Sequence, residues 1–436
     1  MFQHLNTFAH RLLPTWLYEQ AIGSWNPGGL KKYFANTGWM LLGRILTFII
    51  SFFTIAFVAR YLGPENLGKL SYAQSFVAIF SMFASLGIDQ IIYRDLVSHP
   101  EREGEILGTA IVTKFIFGIA TFVLTVSVGY LINDEPLLTW LIALCALTFI
   151  LQPVGTVGHV FGARVLSKYT TLSSLFIAIV IPILKLLIIS LDQGILYFAV
   201  IVAVEGLLNS LCNYALYRHI LSRSWRTWQI RFATFRSLII DAWPLMFVGI
   251  TGYLYVRIDQ VMLLHYIDST TVGLYEAAVR LTDPLGFLPG IVMGSLFPAL
   301  INARKSNLFE YRRRLRSLAI LSLSTSGTLA LLMFIAAPYL IGILYGPAFS
   351  DSVLILRIYV WSTVGTIATM LMYNYFIAEG KTYLQLVYTA LGAFTNVILN
   401  FLLIPLWGAP GAAVATLLTV IMIIASFLLT KRLRQS

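Results

Sequence analysis

Charged residues are scarce in this chain. Asp, Glu, Lys and Arg make up 11% of its 436 residues and hydrophobic residues 58%, whereas a soluble domain has about 25% charged residues. This balance leaves too little polar surface to cover a soluble protein of this length. Cysteines are also few, at two. The composition therefore excludes a soluble enzyme, a disordered chain and a secreted disulfide scaffold, and it predicts an integral membrane protein.

The motifs of common enzymes are missing as well. Cys145 and Cys212 lie inside apolar runs without metal-ligand spacing, and the six histidines are scattered along the chain. The sequence has no Walker A loop, no GxGxxG motif before a helix, no HExxH motif and no paired-aspartate nucleotide-sugar motif. We therefore expect no enzyme activity, no cofactor and no bound metal.

Long apolar runs, by contrast, are abundant. A run of about 20 apolar residues crosses a bilayer as a helix. Twelve such runs occur, at residues 38–59, 70–88, 106–132, 137–157, 171–191, 196–217, 238–257, 272–298, 317–341, 353–378, 385–406 and 409–430. Before them, Arg11, Lys31 and Lys32 are interleaved with leucine and tryptophan, which predicts an interfacial amphipathic segment over residues 1–37 and not a cleaved signal peptide.

The cations define the predicted orientation. Of the 30 Lys and Arg residues, 22 lie in the two tails or in connections after even-numbered spans, and only Arg60 and Lys69 lie in connections on the opposite side. The positive-inside rule then makes both termini cytoplasmic. The net charge of +11 reflects topology, so no nucleic acid is expected as a partner. The outer connections are short, the longest at about residues 258–271, which leaves no room for an outer catalytic domain.

An internal repeat divides the chain into two halves. The pattern of Tyr61–Ala73 recurs at Tyr266–Ala278 with an offset of 205 residues, so Gly68 corresponds to Gly273. Six spans separate the copies and give both halves one orientation, as in transporters with a substrate site between parallel repeats. We expect the interfacial segment 1–37, an N-terminal six-helix bundle 38–217, a basic cytoplasmic linker 218–237, a C-terminal six-helix bundle 238–430 and a basic cytoplasmic tail 431–436.

Several motifs point to a known family. They lie at residues 62–68 (LGPENLG), 86–89 (LGID), 258–281 (IDQVML followed by VGLYEAAVRL), 296–298 (LFP) and 400–416. Together they resemble the polysaccharide-biosynthesis (O-antigen-type) flippases of the multidrug/oligosaccharidyl-lipid/polysaccharide exporter superfamily. The resemblance implies an all-α membrane protein with twelve transmembrane helices in two parallel six-helix bundles around a central cavity.

The same resemblance implies a function. The protein is expected to move an undecaprenyl-diphosphate-linked oligosaccharide from the inner to the outer leaflet of the cytoplasmic membrane. Its implied partners are this lipid-linked oligosaccharide, the lipid bilayer and the polysaccharide polymerase or export machinery.

Six cations lie within or at the ends of predicted spans, where each costs about 2.5–3.5 kcal/mol if it is central and faces lipid. They must therefore line water, pair with other groups or extend to the interface. These cations are Arg44, Lys114, Lys185, Arg257, Arg280 and Arg357. Lys185 and Arg357 lie near the outer ends of their spans and are expected to extend to the interface. Arg257, close to Asp259, is left open between a structural role and substrate binding.

Two of these cations begin polar stripes on one helix face. Arg44 is followed at helical spacing by Thr47, Ser51 and Thr54, and Lys114 is followed by Gly118, Thr121 and Thr125. Such stripes favour the wall of a hydrated cavity, with plain helix packing as the alternative. Arg and Lys supply charge-assisted hydrogen bonds to diphosphate oxygens, so Arg44 and Lys114 are predicted substrate ligands.

Buried carboxylates and amides complete the candidate site. Glu276 and Asp283 flank Arg280 on one helix face, which predicts either a self-neutralising ion triad or a headgroup ligand with a proton-accepting carboxylate. Glu205 has no cation one turn away and is predicted to carry a proton, with a permanently protonated, hydrogen-bonded side chain as the alternative. The amides that are predicted to bind sugar hydroxyls are those of Asn209, Asn396 and Asn400.

Two other functions are weighed against the flippase. An ion-coupled small-molecule exporter of the same superfamily would be expected to have an apolar cavity with an acidic site and few cations. A membrane glycan polymerase or ligase would need a sizeable outer catalytic loop, which this sequence lacks. The buried cations favour the flippase.

Overall fold

The computed structural model describes residues 27–286, Leu300 and residues 308–433, and this part of the chain is almost entirely helical. The helices are α1 (Pro27–Ser85), α2 (Asp89–Ser98), α3 (Glu103–Ile132), α4 (Pro136–Ala146), α5 (Thr148–Leu151), α6 (Gly158–Ala163), α7 (Ser167–Ser190), α8 (Ile195–Ile220), α9 (Phe232–Tyr266), α10 (Ser269–Thr282), α11 (Leu308–Leu344), α12 (Ser352–Ala378) and α13 (Thr382–Leu433). The predicted all-α membrane fold is confirmed. Residues 1–26 of the predicted interfacial segment, the end of the eighth span with its LFP motif, and residues 434–436 lie outside the described residues.

Nine helical segments within the described residues are long and apolar enough to cross a membrane. The first and last of these segments, Gly38–Ser98 and Tyr383–Thr430, each contain two of the predicted spans. α10 covers only the beginning of the predicted span 272–298. The number of twelve transmembrane helices therefore stays a prediction.

Two glycines bend the longest helices where the sequence predicts a boundary between spans. Gly63 in α1 has a φ of 68° and Gly408 in α13 has a φ of 61°, and both values lie in the left-handed region that glycine adopts readily. Pro64 begins the second arm of α1 (residues 64–85), at a position where its missing N–H has no helical partner. The bends divide α1 between spans one and two, and α13 between spans eleven and twelve.

The predicted span 137–157 is interrupted instead of continuous. α4 and α5 are followed by a 3-10 turn, Pro153–Val157, and then by α6, because Pro153 has no N–H to continue the helical ladder. Ser210 of α8 satisfies backbone groups at the break: its Oγ donates to the Leu151 carbonyl oxygen (2.6 Å) and accepts from the Gly155 N–H (3.2 Å). Irregular backbone of this kind is tolerated at membrane depth where it is buried in protein or lines a water-filled cavity.

The two halves of the chain share one hydrophobic core. Buried residues from the second arm of α1, among them Leu70 and Ala73, cluster with Val272 and Tyr275 of α10. At the centre of this contact a Cβ added to Gly68 would overlap the Ser269 carbonyl oxygen, and a Cβ added to Gly273 would overlap the Pro64 carbonyl oxygen. The glycines of the sequence repeat therefore allow α1 and α10 to approach backbone to backbone.

The basic linker crosses the first turns of α3. The Gln229 N–H donates to the Gly104 carbonyl oxygen (3.1 Å), and the Arg231 N–H donates to Thr109 Oγ1 (3.1 Å). Two buried carboxylates at this end of α3 form ion pairs with arginines of the linker. Glu105 lies 3.5 Å from Arg231 Nε, and Glu103 lies 4.0 Å from Arg223 Nε. The linker is thereby fixed to the N-terminal half.

Candidate functional site

Three adjoining cavities lie mainly in the N-terminal half, with volumes of about 590, 790 and 810 Å³. We name them cavities A, B and C and describe each by its ionisable side chains. Cavity A is lined by Lys185, Glu205 and Arg280, cavity B by Arg44 and His159, and cavity C by Asp89, Lys114 and His159. Asn209 lines all three, so the predicted sugar-binding amide lies where the cavities meet.

The polar stripe that begins at Arg44 faces cavities A and B. Thr47 and Ser51 line both cavities, Thr54 lines cavity A and Arg44 lines cavity B. The first arm of α1 fits closely here because Gly43 leaves room for the Thr171 methyl group of α7. This arrangement gives one helix face a row of hydroxyl groups that ends in a guanidinium.

Lys114 belongs to a three-residue polar cluster with Asp89 and His159 in cavity C. Its Nζ forms an ion pair with Asp89 Oδ1, and His159 Nε2 lies 2.8 Å from the same oxygen. A carboxylate oxygen only accepts hydrogen bonds, so His159 Nε2 carries a hydrogen in this contact. Asp89 begins α2 directly after a turn in which Leu86 (φ 54°) and Gly87 (φ 70°) are left-handed, and His159 lies in α6 after the interrupted span.

The rest of the Lys114 stripe is packed against neighbouring helices and buried. Thr121 and Thr125 are 3% and 0% exposed, and a Cβ on Gly118 would overlap the Phe149 carbonyl oxygen. For these three residues the helix-packing alternative holds. Only Lys114 itself faces a cavity.

Arg280 brings a cation from α10 into cavity A. Its Nε forms an ion pair with Glu276, and its Nη2 donates to Gln74 Oε1 of α1 at 3.5 Å. Gln260 of α9 donates to Glu276 and accepts from Ser75 of α1. A hydrogen-bond network thus joins the two halves behind the Arg280 guanidinium.

The predicted triad around Arg280 is incomplete in this structure. Glu276 is 1% exposed and paired, whereas Asp283, within the described residues, forms no ion pair with Arg280. Asp283 is instead exposed at the start of a 3-10 turn, Asp283–Gly286, that follows α10. Of these three described residues, only Arg280 and Glu276 form an ion pair, and the choice between the two alternatives for this helix face stays a prediction.

Asn396 and Asn400 lie in a second, fully buried cluster in the C-terminal half. Both are 0% exposed, and Asn400 Nδ2 donates to Asp259 Oδ1 at 2.7 Å. Tyr275 (2.5 Å) and Thr416 (3.0 Å) donate to the other Asp259 oxygen. In this structure the amide of Asn400 therefore holds a buried carboxylate instead of facing a cavity where a sugar would bind.

The three remaining cations, Lys185, Arg357 and Arg257, have different surroundings. Lys185, expected at the interface, lines cavity A. Arg357 donates through Nε to the Phe334 carbonyl oxygen (3.3 Å), and its guanidinium lies 5.3 Å from the Phe334 ring centroid. Arg257 is half-buried on α9, and its role stays open.

Comparison with known proteins identifies the family. A family model described as "Polysaccharide biosynthesis protein" matches residues 33–304, which is more than half of the chain. The chain belongs to this family.

Two curated relatives and one solved structure are also similar to this chain. "Probable flippase AglR" of Haloferax volcanii is 29% identical over 38% of this chain, and the match spans 35% of AglR. "Capsular polysaccharide biosynthesis protein CapF" of Staphylococcus aureus is 22% identical over 87% of this chain and 94% of its own. The structure of the lipid II flippase MurJ in an inward closed conformation superposes with a TM-score of 0.73 at 14% identity, over 92% of this chain and 87% of MurJ. At this identity the likeness to MurJ shows the fold.

Sequence reasoning did not find the partners of Asp89, Asp259 and His159 in this member of the polysaccharide biosynthesis protein family. Asp89 and Asp259 were visible in the LGID and IDQVML motifs, but nothing in those motifs gave their partners. His159 follows the Pro153 break, and a histidine at a helix interruption in a membrane span is the signal that could have found it.

Proposed function

We propose that this protein moves an undecaprenyl-diphosphate-linked oligosaccharide from the inner to the outer leaflet of the cytoplasmic membrane by alternating access. The single observation that carries the proposal is the lining of the cavities in a polysaccharide biosynthesis family member. Four cations, Arg44, Lys114, Lys185 and Arg280, line joined cavities together with amides and hydroxyls. AglR and MurJ, to which the chain is similar, both carry the name flippase.

The chemistry of the substrate fits this lining. A diphosphate cannot enter hydrocarbon unpaired, and Arg and Lys donate charge-assisted hydrogen bonds to its oxygens. In this proposal Arg44 and Lys114 bind the headgroup and Arg280, with Arg257, completes the site from the C-terminal half. Asn209 binds sugar hydroxyls, and Asn396 and Asn400 do so only in a conformation that releases Asn400 from Asp259 and Asn396 from Asn400. The polyprenyl chain stays in lipid.

We propose Glu205, Glu276 and Asp283 as the groups that couple transport to a proton. Glu205 lines cavity A, Asp283 is exposed, and Glu276 becomes available once Arg280 leaves it for the substrate. An inside-negative potential also favours outward movement of an anion, by about 2.3 kcal/mol per charge for each 100 mV.

The architecture in this proposal is twelve transmembrane helices in two parallel six-helix bundles, 38–217 and 238–430, with both termini cytoplasmic. The reciprocal contact at Gly68 and Gly273 supports it, because an axis along the membrane normal that relates two parallel repeats would bring equivalent residues together. The distribution of 22 cations against two supports the orientation.

The alternative is an ion-coupled exporter of small molecules, which the shared fold allows. One experiment separates the two: deletion of the gene from its host, followed by extraction of the lipid-linked glycans. The flippase predicts accumulation of the lipid-linked oligosaccharide on the cytoplasmic side, reversed by the wild-type gene. Unchanged lipid-linked glycans together with lost drug resistance would support the exporter and overturn the flippase.

A further inference from the structure

Asp89 covers Lys114 on the side of cavity C. The side chain of Asp89 is 42% exposed, whereas that of Lys114 is 11% exposed and that of His159 is 33% exposed. Of the residues described along cavity C, Asp89 is the one acid. An anion that enters the cavity therefore meets a carboxylate in front of the buried ammonium.

Both donors of this cluster use one carboxylate oxygen. Lys114 Nζ and His159 Nε2 contact Asp89 Oδ1, and within the described residues Oδ2 accepts no hydrogen bond. A phosphate oxygen has the same chemistry as this carboxylate oxygen, since each is anionic and only accepts. Lys114 and His159 thus offer a two-donor site for one anionic oxygen, and Asp89 occupies it.

We propose that Asp89 is a positioning residue that stands in for the substrate's phosphate: it neutralises Lys114 in the empty cavity, and the incoming phosphate displaces it. The proposal rests on the proposed function. An unpaired cation at this depth is costly, so the internal anion stabilises the Lys114 side chain between transport cycles. Binding is then an exchange of one anion for another, and the same competition releases the phosphate at the other leaflet.

The position of Asp89 on the chain connects this exchange to the C-terminal half. Leu86 is left-handed (φ 54°) without being glycine, a conformation that is unfavourable for an L side chain. The adjacent Gly87 packs so closely on α9 that a Cβ would lie 3.1 Å from Leu245 Cβ and 3.2 Å from Met246 N. Movement of Asp89 away from Lys114 therefore acts on a turn that touches the other half.

The test is calorimetric titration of the purified full-length protein with inorganic diphosphate at fixed pH and ionic strength. Asp89→Asn removes the competing charge with little change of shape, and we expect about tenfold tighter binding or more, because a like charge leaves the site. Asp89→Glu keeps the charge and should bind like the wild type. Lys114→Gln should weaken binding, and Asp89→Asn in that background should gain less than tenfold.

The matched control is Asp95→Asn, which removes the same charge from the same helix but from a pair with Arg94 outside the three cavities. It should leave the affinity for diphosphate unchanged. Unchanged or weaker binding by Asp89→Asn, in protein that unfolds at the wild-type temperature, would overturn the proposal. If Asp89→Asn does not fold, Asp89→Ser is judged by the same criterion.

The outcome of this binding test is independent of the outcome of the deletion experiment that tests the proposed function. Tighter diphosphate binding by Asp89→Asn, combined with unchanged lipid-linked glycans in the deletion strain, would retain Asp89 as the competing anion and reject flipping. If flipping holds, Asp89→Asn should also transport more slowly per molecule than the wild type, because the phosphate is released more slowly. A purely structural role would instead lower protein level and affinity together.

Discussion

Gly68 and Gly273 lie 205 residues apart in the sequence and pack backbone against backbone in the structure. The contact is reciprocal, because Gly68 packs against the carbonyl group of Ser269 and Gly273 packs against the carbonyl group of Pro64. Ser269 also follows Pro64 by 205 residues. Equivalent positions of a repeat meet in this way when a two-fold axis relates the two copies. The sequence repeat and the contact between halves are therefore one feature.

Gly68→Ala and Gly273→Ala are each expected to destabilise the protein. The added methyl group overlaps a backbone carbonyl, which cannot rotate away, and overpacking of this kind costs about 1–3 kcal/mol. The two effects should be less than additive because both substitutions open the same contact. Thermal unfolding in detergent measures the effect.

Gly342→Ala is the matched control for these substitutions. Gly342 lies within α11 and has no neighbouring atom within 4 Å of an added Cβ, so alanine should be neutral or stabilising there by up to about 1 kcal/mol. Equal unfolding temperatures for Gly68→Ala and Gly342→Ala would contradict the close backbone contact.

The double substitution Arg44→Gln and Lys114→Gln should abolish function at a normal protein level. It removes the two cations of cavities B and C that the proposed function assigns to the diphosphate. The readout is complementation of a deletion strain, with membrane protein quantified by immunoblot. The control is Arg226→Gln, which removes a cation from the linker outside the three cavities and should leave complementation unchanged. Full complementation by the double variant would rule out the headgroup site.

The helical elements were predictable from the sequence because they depend on local composition. Apolar runs predicted most of the long helices, and the Leu62-Gly63-Pro64 sequence lies at the bend of α1. The interrupted span was not predictable from hydropathy, since the few polar residues of 137–157, such as Gln152, leave it apolar enough to be taken for one continuous span. The backbone groups at the break find their partner only because Ser210 of another helix lies beside Leu151 and Gly155. The sequence of the span itself does not show that contact.

The candidate site was predictable only one residue at a time. Lys114 stood out as a cation in an apolar run, but its partner Asp89 is 25 residues away, and His159 is 70 residues from Asp89. Asn400 was read as a sugar ligand because its partner Asp259 is 141 residues away. Hydropathy and helical spacing report burial and the face of one helix, and they contain no information on which faces meet.

Glu276 and Arg280 should show strong coupling in a double-mutant cycle. Glu276→Gln leaves a guanidinium without its carboxylate, and Arg280→Gln leaves a carboxylate that is 1% exposed without its cation. Breaking one side of a fully buried pair costs about 3–5 kcal/mol, and we expect a smaller loss here because the Arg280 side chain is 31% exposed. The double variant Glu276→Gln, Arg280→Gln should therefore be more stable than either single variant in thermal unfolding, and additive losses would contradict a direct pair.

The linker should detach from α3 when Gly108 is enlarged. A Cβ at Gly108 would lie 2.6 Å from the Gln229 carbonyl oxygen and 2.9 Å from its N, so Gly108→Val is expected to push this segment away and break the hydrogen bonds to Gly104 and Thr109. Proteases cut exposed, detached segments first. Limited trypsin digestion should then cleave after Arg226 several-fold faster than in the wild type.

Gly327→Val is the control for this digestion, because Gly327 lies in α11 with no atom within 4 Å of an added Cβ. Its rate of cleavage after Arg226 should equal that of the wild type. Glu105→Gln should accelerate cleavage less than Gly108→Val does, since it removes the charge that faces Arg231 (3.5 Å) but leaves the Gln229–Gly104 hydrogen bond intact. An unchanged rate in Gly108→Val would mean that the linker is held by its arginines and not by its backbone.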